Sequence, residues 1–186
     1  MGFYDDEETA KQYISMADGY DGQNLIDVLR EHLPDGSAVL ELGMGPGVDL
    51  DILSEHYKVT GSDNSQYFLD RYQKTHPTAD LLNLDAVTLQ TERKFDCIYS
   101  NKVLHHLLAE DLITSVQRQK ALLSDGGLVL HSFWRGDGAE EHHGLRFVYQ
   151  TEAAVRDLFD QVFNVLDVVV YGEMEDGDSI YVVASV

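Results

Sequence analysis

Apolar positions along this chain switch between helical spacing and short continuous runs. In residues 21–33, Leu25, Val28, Leu29 and Leu33 fall on one face at helical spacing, and Pro34-Asp35-Gly36 stops the element. Residues around 5–18 read as an earlier helix. Ala38 to Leu42 is a nearly continuous apolar run, the mark of a strand buried on both faces. Pro46 to Tyr57 reads as a helix, with Pro46 tolerated in or just before the first turn. Lys58 to Ser62 is a second strand, Ser65 to Lys74 a helix, residues near 79–84 a third strand and Phe95 to Tyr99 a fourth. A helix from Ala109 to Leu123 ends at Asp125-Gly126-Gly127, and Leu128 to Ser132 is a fifth strand.

The last part breaks the alternation. Val155, Leu158, Phe159 and Val162 form a helical stripe, and Val165 to Tyr171 and Ser179 to Val183 read as strands. The segment between those strands is short and carries no helix, so they must pair antiparallel. The sum is an α/β protein with a doubly wound, mostly parallel sheet and a C-terminal antiparallel hairpin. No internal repeat or low-complexity linker divides it. Residues 1–186 read as one domain, with residues 1–34 as an N-terminal helical cap.

The most informative chemistry follows the first strand. Glu41-Leu42-Gly43-Met44-Gly45-Pro46-Gly47 puts three glycines two apart between a strand and a helix. Side chains there would obstruct a ligand or forbid the turn. The helix that follows presents unpaired N–H groups, which suit an anion. The spacing is G-x-G-x-G, whereas a dinucleotide fingerprint reads G-x-G-x-x-G. Asp63 ends the second strand, where a carboxylate can accept from both hydroxyls of a ribose; its other reading is an N-cap for the next helix. Asn64 and Ser65 can serve that cap as well. Asp85-Ala86, after the third strand, is either a pocket wall or a solvated loop.

These segments, in this order, resemble the class I S-adenosylmethionine-dependent methyltransferases of the small, seven-stranded, Rossmann-like kind. The resemblance covers roughly residues 10–186 and adds two motifs: Phe95-Asp96-Cys97-Ile98-Tyr99-Ser100-Asn101 with Leu104-His105-His106-Leu107, and Leu123-Ser124-Asp125-Gly126-Gly127-Leu128. It implies S-adenosylmethionine as cofactor. Gly43 and Gly45 would admit its methionine part, and Glu41 would organise that loop. Asp63 would hold the ribose, and Asn64 would flank the adenine. Asp85 would accept from the adenine amino group, with the Ala86 N–H nearby. Asn101 would lie under the methionine moiety. Tyr13 in the first helix would touch the methionine carboxylate or else pack in the core; Tyr4 and Tyr20 are weaker alternatives.

Methyl transfer from a sulfonium needs alignment more than acid–base chemistry, so a catalytic residue is hard to read. His105 and His106 are candidates for proton transfer or hydrogen-bonded framework residues. The segment 134–149 is polar, glycine-rich and aromatic, and reads as a loop over the pocket mouth that selects the acceptor. Trp134, Arg135, Arg146 and Tyr149 are its substrate-contact candidates, or packing residues on a surface loop. Glu140-Glu141-His142-His143 resembles metal-ligand material. Adjacent residues on a strand face opposite ways and nothing completes a site, so no metal is expected.

Charge narrows the partners. A formal net charge of −20 repels phosphate backbones and anionic membranes, so neither nucleic acid nor membrane is expected. Asn101-Lys102-Val103-Leu104 is not the Asn/Asp-Pro-Pro-aromatic motif of enzymes that methylate exocyclic amines of DNA. A small organic acceptor remains. The single cysteine, Cys97, lies in an apolar run and reads as a buried, inert thiol. A single cysteine and an acidic N-terminus make the cytoplasm the expected compartment. Two other function classes stay open. One is a noncatalytic S-adenosylmethionine-binding protein. The other is a nicotinamide-dependent oxidoreductase, which the glycine spacing disfavours and no Tyr-x-x-x-Lys pair supports.

Overall fold

Two apolar layers sandwich one sheet, because the strands alternate core residues between their faces. On β1 (Ala38–Leu42), Val39 packs with α2 (Gln23–His32) through Leu25, Ile26 and Leu29, while Leu40 packs on the opposite face. On β4 (Phe95–Ser100), Cys97 and Tyr99 join the first cluster and Ile98 the second. The computed structural model describes residues 7–16, 19–142 and 144–186.

Apart from β6 and β7, the remaining elements follow the expected order. They are α1 (Glu7–Met16), α3 (Val48–Ser54), β2 (Lys58–Asp63), α4 (Gln66–Thr75), β3 (Asp80–Asn83), α5 (Ala109–Leu122), β5 (Leu123–Trp134), β6 (Ala139–His142), β7 (Leu145–Val148), α6 (Glu152–Asp160), β8 (Asn164–Tyr171) and β9 (Ser179–Ser185). The main sheet has seven strands in the order β3-β2-β1-β4-β5-β9-β8. Strands β3, β2, β1, β4 and β5 pair in parallel, and β9 is antiparallel to both of its neighbours. The strand order reverses between β1 and β4, which opens a crevice beyond their C-terminal ends.

Three local expectations need correction. Helix α3 is shorter than Pro46–Tyr57: it starts at Val48 because Gly47 is left-handed, φ +91°, and it ends at Ser54. Strand β5 begins at Leu123 rather than Leu128. Leu123 pairs with Phe95 and Leu128 with Cys97, so Ser124-Asp125-Gly126-Gly127 is a bulge inside the strand rather than a terminator before it. The segment 134–149 is no plain loop. It contains the end of β5 and a separate two-stranded antiparallel sheet, with Ala139 opposite Val148 and His142 opposite Leu145. Among the described residues, no helix is long and apolar enough to cross a membrane.

Candidate functional site

The glycine turn sits at the reversal point. Gly43, Gly45 and Gly47 all have positive φ, from +49° to +91°. At Gly43, φ +66°, a Cβ would lie 2.6 Å from Cγ2 of Val103. A side chain is therefore excluded by packing as well as by backbone conformation. The Met44 N–H donates to the Ser62 carbonyl at 2.8 Å, which ties the turn to β2.

Asp63 is buried between the turn and the next helix. Its Oδ2 accepts from the Gly45 N–H at 2.9 Å and its Oδ1 from the Ser65 N–H at 2.8 Å. The two readings of Asp63 are thus not exclusive: it braces the start of α4 and lines a cleft. That cleft, about 190 Å³, brings together Gly43, Gly45, Asp63, Asn64, Asp85 and Ala86 from the ends of β1, β2 and β3. Asp85 Oδ1 accepts from the N–H groups of Val87 and Thr88 at 3.0 and 2.9 Å, so it also organises its own loop.

A larger cavity, about 450 Å³, opens on the other side of the turn. Gly43, Lys102 and His106 border both spaces. Glu41 lines its floor and is nearly inaccessible, with Oε2 buried and without a hydrogen-bond partner. Burial raises the Glu41 pKa well above its ordinary value, and the carboxylates of Asp49, Asp63 and Asp51 raise it further. Asp49 is buried beside it. Its Oδ1 accepts from Gly22 N–H at 2.7 Å, and its Oδ2 accepts from the Tyr99 hydroxyl at 2.7 Å and the Asn101 amide at 3.2 Å. Burial raises the Asp49 pKa, and those three bonds oppose the shift. A Cβ on Gly22 would lie 2.3 Å from Asp49 Oδ2, so the entry to α2 can dock here only as glycine. Asn101 is held from both sides, because the Ser132 hydroxyl donates to its Oδ1 at 2.6 Å.

Two acids in the first turn of α3, Asp49 and Asp51, correct the idea that this helix start suits an anion. They favour positive charge instead.

Lys102 occupies left-handed backbone, φ +54°, and its N–H donates to Ser132 Oγ at 3.0 Å. Its ammonium pairs with Glu173, donates to Ser179 Oγ at 2.9 Å and lies 4.1 Å from the centre of the Trp134 ring. Burial lowers its pKa, and Glu173 opposes that. Asp178 holds the turn that carries Glu173. Burial would raise its pKa, but donors from Glu173, Ser179, Glu175 and Met174 outweigh this and hold it at about 2.

The histidine pair divides. His106 Nδ1 donates to the Arg146 carbonyl on β7 at 2.6 Å, since a carbonyl can only accept. His105 is not the hydrogen-bonded framework residue expected, for neither of its buried ring nitrogens has a partner. Instead its ring centre lies 3.9 Å from that of His106, the two rings tilted by 49°, and its ring stacks on Phe147 at 5.2 Å. Burial lowers both pKa values. For His105, proximity to His106 and Lys102 adds to the effect; for His106, the Arg146 carbonyl opposes it.

Of the acceptor-loop candidates, Trp134 lines the larger cavity and three line neither space. The Arg135 guanidinium donates to the Gly177 carbonyl at 3.1 Å. Arg146 is exposed and contributes its backbone carbonyl, and the Tyr149 ring packs on Gly136. Leu145 and Phe147 of β7, and Glu173 and Met174 of the β8–β9 turn, form the wall instead. Tyr20 borders the cavity. The Tyr13 side chain, Tyr4, the His142 side chain and His143 lie outside the described residues. Among the described residues, no cluster of His, Cys, Asp and Glu could hold a metal.

This strand order, with a glycine turn at its reversal and acids ending β1 and β2, defines the class I S-adenosylmethionine-dependent methyltransferase fold. Residues 39–127 match the family model described as a methyltransferase domain. Solved structures agree in fold. The chain superposes on the 1,6-didemethyltoxoflavin-N1-methyltransferase of Burkholderia thailandensis, solved with 1,6-didemethyltoxoflavin and S-adenosylhomocysteine. The TM-score is 0.79 at 21% identity, covering 95% of this chain and 86% of that one. The N-methyltransferase NodS of Bradyrhizobium japonicum WM9, in complex with S-adenosylhomocysteine, gives 0.75 at 18% identity, covering 96% of both chains. An S-adenosylmethionine-dependent methyltransferase of Clostridium acetobutylicum gives 0.78 at 14%, covering 95% of this chain and 98% of that one.

Proposed function

We propose that this protein is an S-adenosylmethionine-dependent methyltransferase acting on a small organic molecule. The observation that carries the reading is the junction of two spaces at Gly43, Lys102 and His106, beyond the reversal between β1 and β4. The smaller cleft has the groups an adenosine needs. Asp63 lines the cleft with a carboxylate that can accept from ribose hydroxyls, Asn64 flanks the base, and Asp85 and Ala86 offer an acceptor and an N–H to its edge.

The floor of the larger cavity fits the methionine end. Glu41 has an orphaned oxygen and sits among Asp49, Asp63 and Asp51, an arrangement that a cationic ligand relieves. Gly43, Gly45 and Asn101 would complete that end, with Tyr13 as a candidate for the carboxylate. S-adenosylmethionine, when bound, supplies an electrophilic methyl group on a sulfonium. The chain's own task is to align that group with the acceptor and keep water away. The cavity wall of Trp134, Leu145, Phe147 and Met174 serves the second need and shapes the acceptor.

Calorimetric titration of the full chain with S-adenosylmethionine, S-adenosylhomocysteine and NAD tests the cofactor. The reading expects heats from the first two; heat from NAD alone would sink it. Release of S-adenosylhomocysteine with a small-molecule panel then separates a transferase from a noncatalytic binder.

A further inference from the structure

We infer that His106 takes the acceptor's proton through Nε2, and that the acceptor is an uncharged, largely apolar molecule presenting an O–H or N–H. This rests on the methyltransferase reading and assigns the chemistry of its second substrate.

The geometry begins with the tautomer. His106 Nδ1 is committed as a donor to the Arg146 carbonyl. In a neutral ring the lone pair then sits on Nε2, the pattern by which a backbone carbonyl fixes a base. No described residue partners Nε2. The ring lies where the two spaces meet, beside Gly43 and Lys102, and is held from both flanks by His105 and Phe147. The groups facing it are His105 on its own turn, Lys102 at the end of β4, and Arg146 and Phe147 on β7. The Lys102 charge is already engaged by Glu173. His105 is a poorer base, since both its ring nitrogens are enclosed.

The same cavity describes the acceptor. Trp134, Phe147 and Leu145 give apolar walls, and Tyr20, Val48 and Met174 are large hydrophobics left exposed at its border. The bordering carboxylates of Asp21, Asp49 and Glu173 outnumber the Lys102 cation among the described residues, so an anionic acceptor is repelled. In the step, the acceptor's O–H or N–H bond breaks and the proton goes to Nε2, while the pair stays on the heteroatom. The new bond to methyl forms as the methyl–sulfur bond breaks, and its electron pair remains on sulfur as a neutral thioether.

His106→Asn separates the roles. Its amide can still donate to the Arg146 carbonyl, but the second ring nitrogen is gone. The panel should contain uncharged phenols and aromatic amines in one arm and aromatic carboxylates in the other. The expected result is turnover in the uncharged arm, reduced about 10²–10³-fold in His106→Asn at saturating S-adenosylmethionine. Imidazole ¹⁵N spectra of the chain with S-adenosylhomocysteine supply a readout independent of activity. They should show Nδ1 protonated and Nε2 bare at pH 7.5. A protonated Nε2, undiminished turnover in His106→Asn, or turnover absent from the uncharged arm would each overturn the inference. Failure of S-adenosylhomocysteine to bind would instead sink the methyltransferase reading, and ligand-free ¹⁵N spectra would still report the tautomer.

Discussion

The two spaces that meet at Gly43 are made in opposite ways. The smaller cleft is built chiefly from short loops at the ends of β1, β2 and β3, so most of its polar residues lie beside a strand end, and Phe68 of α4 with residues 102–107 closes it. The larger cavity shares the β1–α3 turn and adds to it the α2 approach, the end of β4, the tip of β5, strand β7 and the β8–β9 turn. The first depends on backbone shape and on acids at fixed positions. The second depends on which distant segments happen to meet. A site of the first kind is written locally, and a site of the second kind is written in packing.

Substitutions can sharpen or break that contrast. The largest effect should come from Gly43→Ala, which adds strain at φ +66° and a Cβ 2.6 Å from Val103. A cost of about 2–3 kcal/mol is expected from overpacking and left-handed backbone together. Loss of S-adenosylhomocysteine affinity with a lower melting temperature would show it; wild-type values would mean the turn is not rigid. Asp63→Ala comes next, at about 1–3 kcal/mol of S-adenosylhomocysteine affinity, because it also frees the Gly45 and Ser65 N–H groups. Its acceptor KM should hold if the two spaces are separable.

Glu41 sets a pH test. Its folded pKa is raised above the ordinary 4.5, so above pH 4.5 the folded chain holds a proton that the unfolded chain has released. Stability therefore falls as pH rises through that window. Relative to Glu41→Gln, the ligand-free wild-type melting temperature should lose ground as pH rises from 5, each kcal/mol being worth about 2–4 °C, while buried His105, His106 and His131 push the other way in both proteins below about pH 6.5. A difference between the two proteins that does not change with pH would mean Glu41 is not held neutral. The smallest effects belong to the second space. Trp134→Ala should raise acceptor KM about tenfold, on the scale of a lost aromatic contact, and leave S-adenosylhomocysteine affinity alone. Arg135→Ala and Tyr149→Phe should change neither, since they line neither space. An effect of Arg135→Ala as large as that of Trp134→Ala would break the contrast.

The same contrast explains what could be read in advance. Apolar runs of Ala38–Leu42 and Phe95–Ser100 are long enough and flanked clearly enough to declare strands, and the helix-free segment after Tyr171 forces β8 and β9 antiparallel. Gly43, Gly45, Asp63, Asn64, Asp85 and Ala86 converge because each follows a strand of one parallel sheet. The larger cavity offered no such rule. Asp49 looks like an ordinary acid at a helix start, yet it points inward to Gly22 and Tyr99. Lys102 carries no mark beyond its place after Asn101. Phe147 gives no signal in sequence, because the 134–149 segment reads as polar and loop-like and each of its strands is only four residues long. Arg135 and Arg146 stand out in sequence by their charge, whereas the fold uses the guanidinium of one and the carbonyl of the other as struts.

The most direct test of the central claim is to locate the adenosine in solution. Intermolecular NOEs from the adenine ring protons and the anomeric ribose proton of bound S-adenosylhomocysteine should reach Asn64, Ala86 and Leu107, which line the smaller cleft. NOEs to Trp134, Leu145 and Met174 instead would put the adenosine in the larger cavity and contradict the assignment of both spaces.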